Sequence, residues 1–157
     1  LCAEVGWHIE INVKDAADWI SLEQRLMQSP VGLVIDHMGR VRGGQTIQSE
    51  QFSAVRRLLA RKPNTWVKIS SWYRVSDAAP PEYSDMKPFA QTLLTEFPDQ
   101  CVWCTNWPHP GIHQNMPNDI DLADLLETWI PNEEVRTKLF VTNPEKLYDF
   151  SPFKGRA

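Results

Sequence analysis

The chain has 157 residues, of which 16 are Lys or Arg and 20 are Asp or Glu, so its formal net charge is −4 with neutral histidines. A composition that is 42% hydrophobic and 23% charged indicates one globular domain or part of a larger one. Its apolar runs are all shorter than the roughly 20 residues of a membrane helix, and no basic cluster could neutralise a phosphate backbone, so we expect neither a membrane nor a nucleic-acid partner.

The cysteine count and the first residue indicate where the protein resides and how the sequence begins. Three cysteines give no even set for a disulfide framework, which favours a reducing compartment, and we predict a cytoplasmic location. The sequence begins at Leu1 rather than Met, with no signal-peptide pattern before the first predicted strand. We therefore expect the natural N-terminus to lie upstream.

Strand and helix patterns alternate along the chain. Four strands are predicted from alternating or continuous apolar residues, over residues 6–13, 31–35, 66–70 and 101–105. Five helices are predicted from apolar residues at helical spacing and from prolines that mark helix ends, over residues 15–28, 49–62, 83–97, 119–129 and 132–140. The chain is thus expected to be an α/β protein.

The spacing of the strands predicts how they pair. The last three begin at Val31, Trp66 and Cys101, which are 35 residues apart, and this distance fits one right-handed βαβ step between parallel strands. Four successive βα units are compatible with an open doubly wound sheet or with half of an eight-stranded barrel. Gly39 and Gly43 lack the spacing of a dinucleotide-binding loop, so a dinucleotide cofactor is not favoured.

Polar side chains follow three of the predicted strands, at the ends where parallel α/β proteins form their sites. They are His37 and Arg40 after the second strand, Tyr73 and Arg74 after the third, and Asn106 and His109 after the fourth. The arginines suit bidentate binding of carboxylates. His37 is either a core histidine bonded to Asp36 or to backbone, or a catalytic or ligand-binding group, and its position favours the latter. Tyr73 and Trp107 are predicted to line the pocket wall.

Other motifs with metal or redox spacing are interpreted as structural. Cys101 and Cys104 lie three residues apart in one strand and point to opposite faces, so a redox pair or zinc site is not favoured. Pro110 and Gly111 prevent the helix that would let His109 and His113 share a metal ion. Several acidic residues are predicted to start helices or to lie on solvated faces, namely Asp85, Asp119, Asp121 and Asp124.

Four segments occur in a distinctive order: Val34-Ile35-Asp36-His37-Met38-Gly39-Arg40, Trp66-Val67-Lys68-Ile69-Ser70 with Tyr73-Arg74, Val102-Trp103-Cys104-Thr105-Asn106-Trp107-Pro108-His109-Pro110, and Asn143-Pro144 with Leu147-Tyr148. Together they resemble the amidohydrolase-related family of TIM-barrel hydrolases, and within it the 2-pyrone-4,6-dicarboxylate lactonase branch. The resemblance spans nearly the whole chain. It implies that residues 1–157 are a partial domain, the C-terminal half of a (β/α)8 barrel with strands five to eight.

The resemblance also implies roles for the residues at the strand ends. His37 corresponds to the catalytic histidine at the end of strand six, and Arg40 and Arg74 correspond to carboxylate-binding residues; Tyr73 and His109 are further candidates for substrate binding. Asn106 stands where the family usually has the Asp that acts as general base. Because an amide oxygen is a far weaker base than a carboxylate, we expect Asn106 to orient water rather than take its proton.

The implied reaction is attack of water on the carbonyl of a small lactone or related cyclic ester that bears carboxylates. The family's His-x-His motif is absent from this chain, and Asn12-Val13 offers no metal-bridging side chain, so a two-metal site is not expected. The resemblance leaves two cofactor possibilities open: no metal, or a single divalent metal such as zinc with His37 as a ligand.

Two other functions and two kinds of partner also remain open. Asn106 motivates a non-catalytic carboxylate-binding homologue, and the same superfamily contains metal-dependent decarboxylases. Half a barrel exposes two strand edges, so the isolated chain is expected to be inactive and to associate, either as a homo-oligomer or with the missing N-terminal half.

Overall fold

A four-stranded parallel sheet forms the centre of the computed structural model, which describes residues 1–151. Its strands are β1 (Ile9–Ile11), β2 (Leu33–Ile35), β3 (Thr65–Ile69) and β4 (Cys101–Trp103). Their spatial order equals their order in the chain, and all three neighbouring pairs are parallel. This confirms the predicted α/β class with a parallel sheet. A doubly wound sheet needs a point where the strand order reverses, and the described strands contain none.

Helices connect and follow the strands. They are α1 (Asp18–Met27), α2 (Glu50–Arg61), α3 (Lys87–Glu96), α4 (Asp119–Glu127), α5 (Glu133–Thr137) and α6 (Asn143–Tyr148), with a π-helical turn over Lys138–Thr142. Ser49, Asn118 and Asn132 cap α2, α4 and α5, because each side-chain oxygen accepts a hydrogen bond from a first-turn backbone N–H. No helix within residues 1–151 has both the length and the apolar character needed to cross a membrane.

Several predicted elements are shorter than their sequence patterns indicate, and two of them lose five residues each. The helix predicted over residues 83–97 begins only at Lys87, because Pro88 is tolerated in a first helical turn but lacks the N–H that a later position donates. The strand predicted over residues 6–13 is confined to β1. Gly6 instead ends a 3-10 turn over Ala3–Val5 with a φ of 71°, and β1 is a largely exposed edge strand rather than a buried one.

The two faces of the sheet have different neighbours. On one face, Ile35, Val67 and Cys101 lie in register across three strands and belong to the same buried core as the apolar residues of α1, α2 and α3, among them Trp19, Phe52 and Phe89. On the other face, a smaller group of Val34, Trp66 and Val102 contacts Leu147 of α6. The three crossover helices therefore cover one face, and the carboxyl ends of the strands form a common edge.

The two cysteines of the C-x-x-C spacing are free thiols in different surroundings. Cys101 is fully buried, its Sγ lies 3.5 Å from the carbonyl oxygen of Leu93, and burial raises the pKa of its thiol. Cys104 is only half-buried. Because a reactive thiol needs a lowered pKa and access to solvent, Cys101 fits the structural role that its sequence position predicts.

Candidate active site

The carboxyl ends of β2 and β3 bring two polar side chains together. His37 follows β2 and is 8% exposed, and its Nδ1 lies 2.8 Å from Oγ of Ser70, the residue after β3. The contact of Nδ1 is thus Ser70, and not Asp36 or a backbone group as the alternative of a core histidine predicted, and Asp36 pairs with Lys68 at 3.1 Å. Ser70 thus determines the orientation of the imidazole ring.

The surroundings of His37 favour the neutral form of its imidazole. Burial lowers the pKa of His37 below the usual histidine range, the nearby charges of Lys68, Arg40 and Arg74 lower it further, and only Asp36 acts in the opposite direction. If Ser70 donates to Nδ1, Nε2 carries the proton and can donate to a substrate oxygen. If Nδ1 donates to Ser70, Nε2 has the lone pair that a metal ion requires. The two tautomers therefore allow two different chemical roles.

Lys68 is a buried cation beside Asp36. Its Nζ lies 2.8 Å from Oε2 of Glu10 and 3.1 Å from Oδ1 of Asp36. Burial alone would lower the pKa of Lys68, but the hydrogen bond to Glu10 and the charge of Asp36 raise it, so the ammonium group stays charged. These three residues join β1, β2 and β3 on the face of the sheet that the crossover helices leave uncovered.

The backbone at the strand ends is left-handed. His37, Met38, Gly39 and Arg40 have φ angles of 55°, 51°, 70° and 53°, and Asn106 has a φ of 65°. This conformation costs a non-glycine residue roughly 1–2 kcal/mol, and such residues cluster where function requires a particular side-chain direction. At His37 and Arg40 the turn after β2 thereby departs from the extended backbone of the strand.

A chain of polar contacts connects the β3 and β4 ends with α4. Nδ2 of Asn106 donates to Oη of Tyr73 at 3.0 Å, and Oη of Tyr73 lies 2.7 Å from Nδ1 of His109. On the other side of the ring, Nε2 of His109 lies 3.2 Å from Oδ1 of Asp119. We call Asn106, Tyr73, His109 and Asp119 the polar chain. Tyr73, predicted as pocket wall, is therefore a hydrogen-bonding member of the site.

The predicted carboxylate-binding arginines lie in different environments. Arg40 is half-buried and its side chain has no hydrogen bond or ion pair with another residue between 1 and 151, whereas Arg74 is exposed and donates from Nη1 to the carbonyl of Pro110 at 2.6 Å. Trp107, predicted to line the pocket wall, is 75% exposed. The structure thus leaves the Arg40 guanidinium available to a ligand and holds Arg74 against the loop after β4.

Two of the aspartates that the sequence assigns to helix starts or solvated faces make specific contacts. Asp119 is the first residue of α4 as predicted, but its carboxylate contacts His109. Asp85 precedes α3 and accepts hydrogen bonds from the hydroxyl of Ser76 and the backbone N–H of Asp77, so the solvated-face interpretation is wrong for it. Asp121 and Asp124, both exposed on α4, agree with the prediction.

The sequence did not indicate three residues that contact the site residues or Asp36: Ser70, Lys68 and Asp119. Ser70 lies in a segment that carries the family resemblance, so its position one residue after β3 could have indicated it. Asp119 is far from the β4 end in sequence, and only the path of the intervening loop brings it to His109. No sequence spacing records that approach.

The described residues contain no complete set of side-chain ligands for a metal ion. Among residues 1–151, no three His, Cys, Asp or Glu side chains are arranged to hold a metal ion. His37 is the site histidine whose Nε2 could act as a ligand, and Asn106 offers only an amide. A metal in the intact protein would therefore need further ligands from outside the described residues.

Curated proteins with similar sequences act on lactones and related rings. The chain is 35% identical over 153 residues to a 2-pyrone-4,6-dicarboxylate hydrolase of Comamonas testosteroni, covering 93% of this chain and 50% of that protein. It is 37% identical over 149 residues to a 4-sulfomuconolactone hydrolase of Hydrogenophaga intermedia (94% and 48%), and 32% identical over 153 residues to a D-galactarolactone isomerase of Agrobacterium fabrum (89% and 52%). The chain spans about half the length of these relatives.

Solved structures show the same half-length similarity. A protein from Agrobacterium tumefaciens, in its apo form, superposes with a TM-score of 0.85 at 30% identity, covering 97% of this chain and 54% of that one. A zinc-bound amidohydrolase from Burkholderia multivorans superposes with a TM-score of 0.75 at 18% identity (96% and 55%), which shows a shared fold. A family model described as Amidohydrolase matches residues 1–150. The chain therefore belongs to the amidohydrolase family that this model defines.

Proposed function

We propose that the protein containing this chain hydrolyses a small lactone or related cyclic ester that bears carboxylates. The observation that carries the proposal is the buried imidazole of His37, which contacts Ser70 and lies within the electrostatic influence of Arg40 and Arg74. Such a site combines a hydrogen-bond donor for a carbonyl oxygen with cations for a substrate's carboxylates. The curated hydrolases among the relatives support this reaction type.

The proposed reaction divides the work among these residues. His37 donates from Nε2 to the lactone carbonyl oxygen, where negative charge develops, while the arginines hold the carboxylates. Asn106 orients a water molecule whose oxygen bonds to the carbonyl carbon. The ring C–O bond then breaks, and the proton from water ends on the released hydroxyl group, so the product is a ring-opened hydroxy acid.

We further propose that residues 1–157 are strands five to eight of a (β/α)8 barrel. The chain-order parallel sheet, the crossover helices on one face and the half-length match to relatives support this architecture. Under this proposal, the remaining site groups come from an N-terminal half or from a second copy of the chain. The proposed partner of the assembled site is thus a small carboxylate-bearing molecule. A reducing, cytoplasmic location stays a prediction from the three free cysteines.

No step of the proposed reaction passes through a metal ion. The intact protein could work without a metal or hold a single divalent ion such as zinc, for which His37 Nε2 would be this chain's ligand. A zinc ion there would polarise a bound carbonyl or water. The described residues supply no complete ligand set, so the roles given above rest on hydrogen bonding and charge alone.

A second function, carboxylate binding without turnover, is favoured by Asn106, since an amide cannot serve as a general base. Under this alternative the arginines would still bind a dicarboxylate. The decarboxylase alternative has no specific observation in its favour.

One set of assays separates these functions. Hydrolysis of lactones with and without carboxylates is followed by absorbance, and binding of the dicarboxylates is measured by calorimetry. We expect Arg40→Met to raise KM for carboxylate-bearing lactones by roughly 10- to 100-fold, since a hydrogen bond to a charged group contributes about 1.5–3 kcal/mol. Arg42→Met, which removes an exposed arginine of the same loop, is the control and should change KM less than about twofold.

Asn106→Asp completes the test. Restoring a carboxylate should raise kcat by about 100-fold or more if water attack lacks a base. Unchanged, undetectable turnover with retained dicarboxylate binding would instead support the binding homologue. If neither the wild type nor Asn106→Asp hydrolyses a lactone or binds a dicarboxylate, the proposed function is wrong.

A further inference from the structure

We infer that Asp119 is a positioning residue that sets the direction of the hydrogen bonds along the polar chain. Through His109 and Tyr73 it turns the side-chain carbonyl oxygen of Asn106, rather than the amino group, toward the attacking water. The inference rests on the proposed function only for the role of that water, because the hydrogen-bond direction itself does not depend on turnover.

The first step is the contact between Asp119 and His109. His109 is 2% exposed, so its ring has little freedom, and its Nε2 lies 3.2 Å from Oδ1 of Asp119. Oδ1 is a buried atom without a hydrogen-bond partner among residues 1–151, His109 included, so this approach is a close charge contact and not a formed hydrogen bond. A buried carboxylate oxygen is costly without a donor and can only accept. Asp119 therefore favours the tautomer of His109 that carries its proton on Nε2.

The second step follows from the inventory of donors and acceptors. With the proton on Nε2, Nδ1 of His109 has a lone pair and accepts the O–H of Tyr73, 2.7 Å away. The phenolic oxygen then accepts a hydrogen bond from Nδ2 of Asn106, 3.0 Å away. The other end of the amide, Oδ1, is left for the site. The contacts from Asn106 to Tyr73, from Tyr73 to His109 and from His109 to Asp119 then all have their donor on the Asn106 side.

The opposite tautomer would reverse the chain. With the proton on Nδ1, His109 would donate to Tyr73, Tyr73 would donate to Oδ1 of Asn106, and the amide would present its amino group to the site. An amide oxygen accepts an O–H of water and leaves the lone pairs of water for the carbonyl carbon. An amino group would instead donate to those lone pairs. Only the direction that Asp119 favours is thus productive for water attack.

The backbone after β4 also holds the polar chain in place. Asn106 and His109 both have left-handed φ angles, of 65° and 54°, and His109 N–H donates to the carbonyl of Asn106 at 2.8 Å. The turn after β4 therefore holds the two side chains at a set separation, with Tyr73 between them. The two ring nitrogens of His109 contact different groups, Tyr73 at Nδ1 and Asp119 at Nε2, so Asp119 is the group that acts on the far nitrogen.

The test is made on the protein that contains this chain, labelled with ¹⁵N-histidine. Long-range ¹H–¹⁵N spectra report which ring nitrogen of His109 carries the proton, and His109→Gln identifies its signals. We expect Nε2–H in the wild type, an increased Nδ1–H population in Asp119→Asn, and restoration of Nε2–H in Asp119→Glu. Asp124→Asn removes an exposed carboxylate from the same helix and should leave the His109 signals unchanged.

Lactone hydrolysis supplies the second readout. Asp119→Asn should lower kcat about tenfold with KM unchanged, and should have no further effect in a Tyr73→Phe background, because the chain is already interrupted there. Any of three results would overturn the inference. They are a wild-type His109 with its proton on Nδ1, identical His109 signals in Asp119→Asn and wild type, and an undiminished effect of Asp119→Asn on kcat in the Tyr73→Phe background. A tautomer shift without any lactone hydrolysis would refute the proposed function and leave the hydrogen-bond direction established.

Discussion

At the scale of single residues, the site is distinguished by backbone conformation as much as by side-chain chemistry. Residues from two separate loops, His37 and Asn106 among them, adopt left-handed φ angles that most side chains avoid. Gly39 lies within the first of these turns, and its carbonyl oxygen accepts a hydrogen bond from Nε1 of Trp19 at 2.8 Å. The packing of α1 against this turn therefore offsets the cost of aiming His37 at the site.

Substitution of Gly39 should show how tightly the turn is held. A Cβ at Gly39 would lie 2.7 Å from Cγ2 of Val55 and 3.1 Å from Nε1 of Trp19, and its φ is 70°. We expect Gly39→Ala to lower the free energy of unfolding by about 2–4 kcal/mol, as the sum of left-handed strain and overpacking. Chemical denaturation of the two forms measures the difference.

Gly6→Ala is the matched control for that substitution. Gly6 has a φ of 71°, but nothing lies within 4 Å of the position that its Cβ would occupy. Its substitution should therefore cost only the conformational term of about 1–2 kcal/mol. Equal losses for the two glycines would show that the turn after β2 relaxes freely, contrary to its close packing against Val55 and Trp19.

At the scale of elements, hydrophobic periodicity predicted the existence and order of the strands and main helices, because burial of one face leaves a direct trace in sequence. Element ends were predicted less well where local chemistry competes with periodicity. Pro88 delays the start of α3, and Gly6 ends a turn where alternation alone indicates a strand. The edge position of β1 also leaves Ile9 40% exposed, which alternation cannot foresee.

The attachment of α6 to the sheet can be tested at one residue. Nδ2 of buried Asn143 donates to the carbonyl oxygens of Pro98 and Cys101, at 2.8 and 2.7 Å. Asn143→Ala leaves both acceptors without this donor, and we expect it to destabilise the fold by about 1–3 kcal/mol. Gln91→Ala is the control, since exposed Gln91 makes only a 3.4 Å contact with the carbonyl of Trp129, and its loss should change stability by less than about 0.5 kcal/mol. Thermal denaturation that fails to separate the two variants would contradict this role for Asn143.

At the scale of the whole molecule, the sheet has two open edges. Within the described residues, β1 pairs only with β2 and β4 only with β3. Trp7, next to the β1 edge, is 68% exposed. Unpaired strand edges beside exposed apolar side chains favour association with another chain. This feature agrees with the proposal that the chain supplies half of a barrel.

We therefore expect the isolated 157-residue chain to self-associate rather than remain monomeric. Light scattering coupled to gel filtration measures its mass, and lactone hydrolysis by the associated and monomeric fractions shows whether assembly completes the site. Ile9→Lys places a charge at the exposed β1 edge and should shift the equilibrium toward monomer. Ile9 is chosen over its neighbour Glu10, because Glu10→Lys would put a second positive charge beside Lys68 and weaken the fold locally. A stable monomer across micromolar concentrations would contradict the expected association.

The sequence by itself determined the α/β class, the parallel order of the strands and the family, because these depend on local periodicity, on the spacing of βα units and on motifs at strand ends. Only the tertiary structure decided which side chains meet. In the folded chain Ser70, and not Asp36, is the partner of His37, and Asp119 lies next to Nε2 of His109. Such contacts join residues of different loops, and the direction of a loop depends on packing between elements rather than on any spacing along the chain.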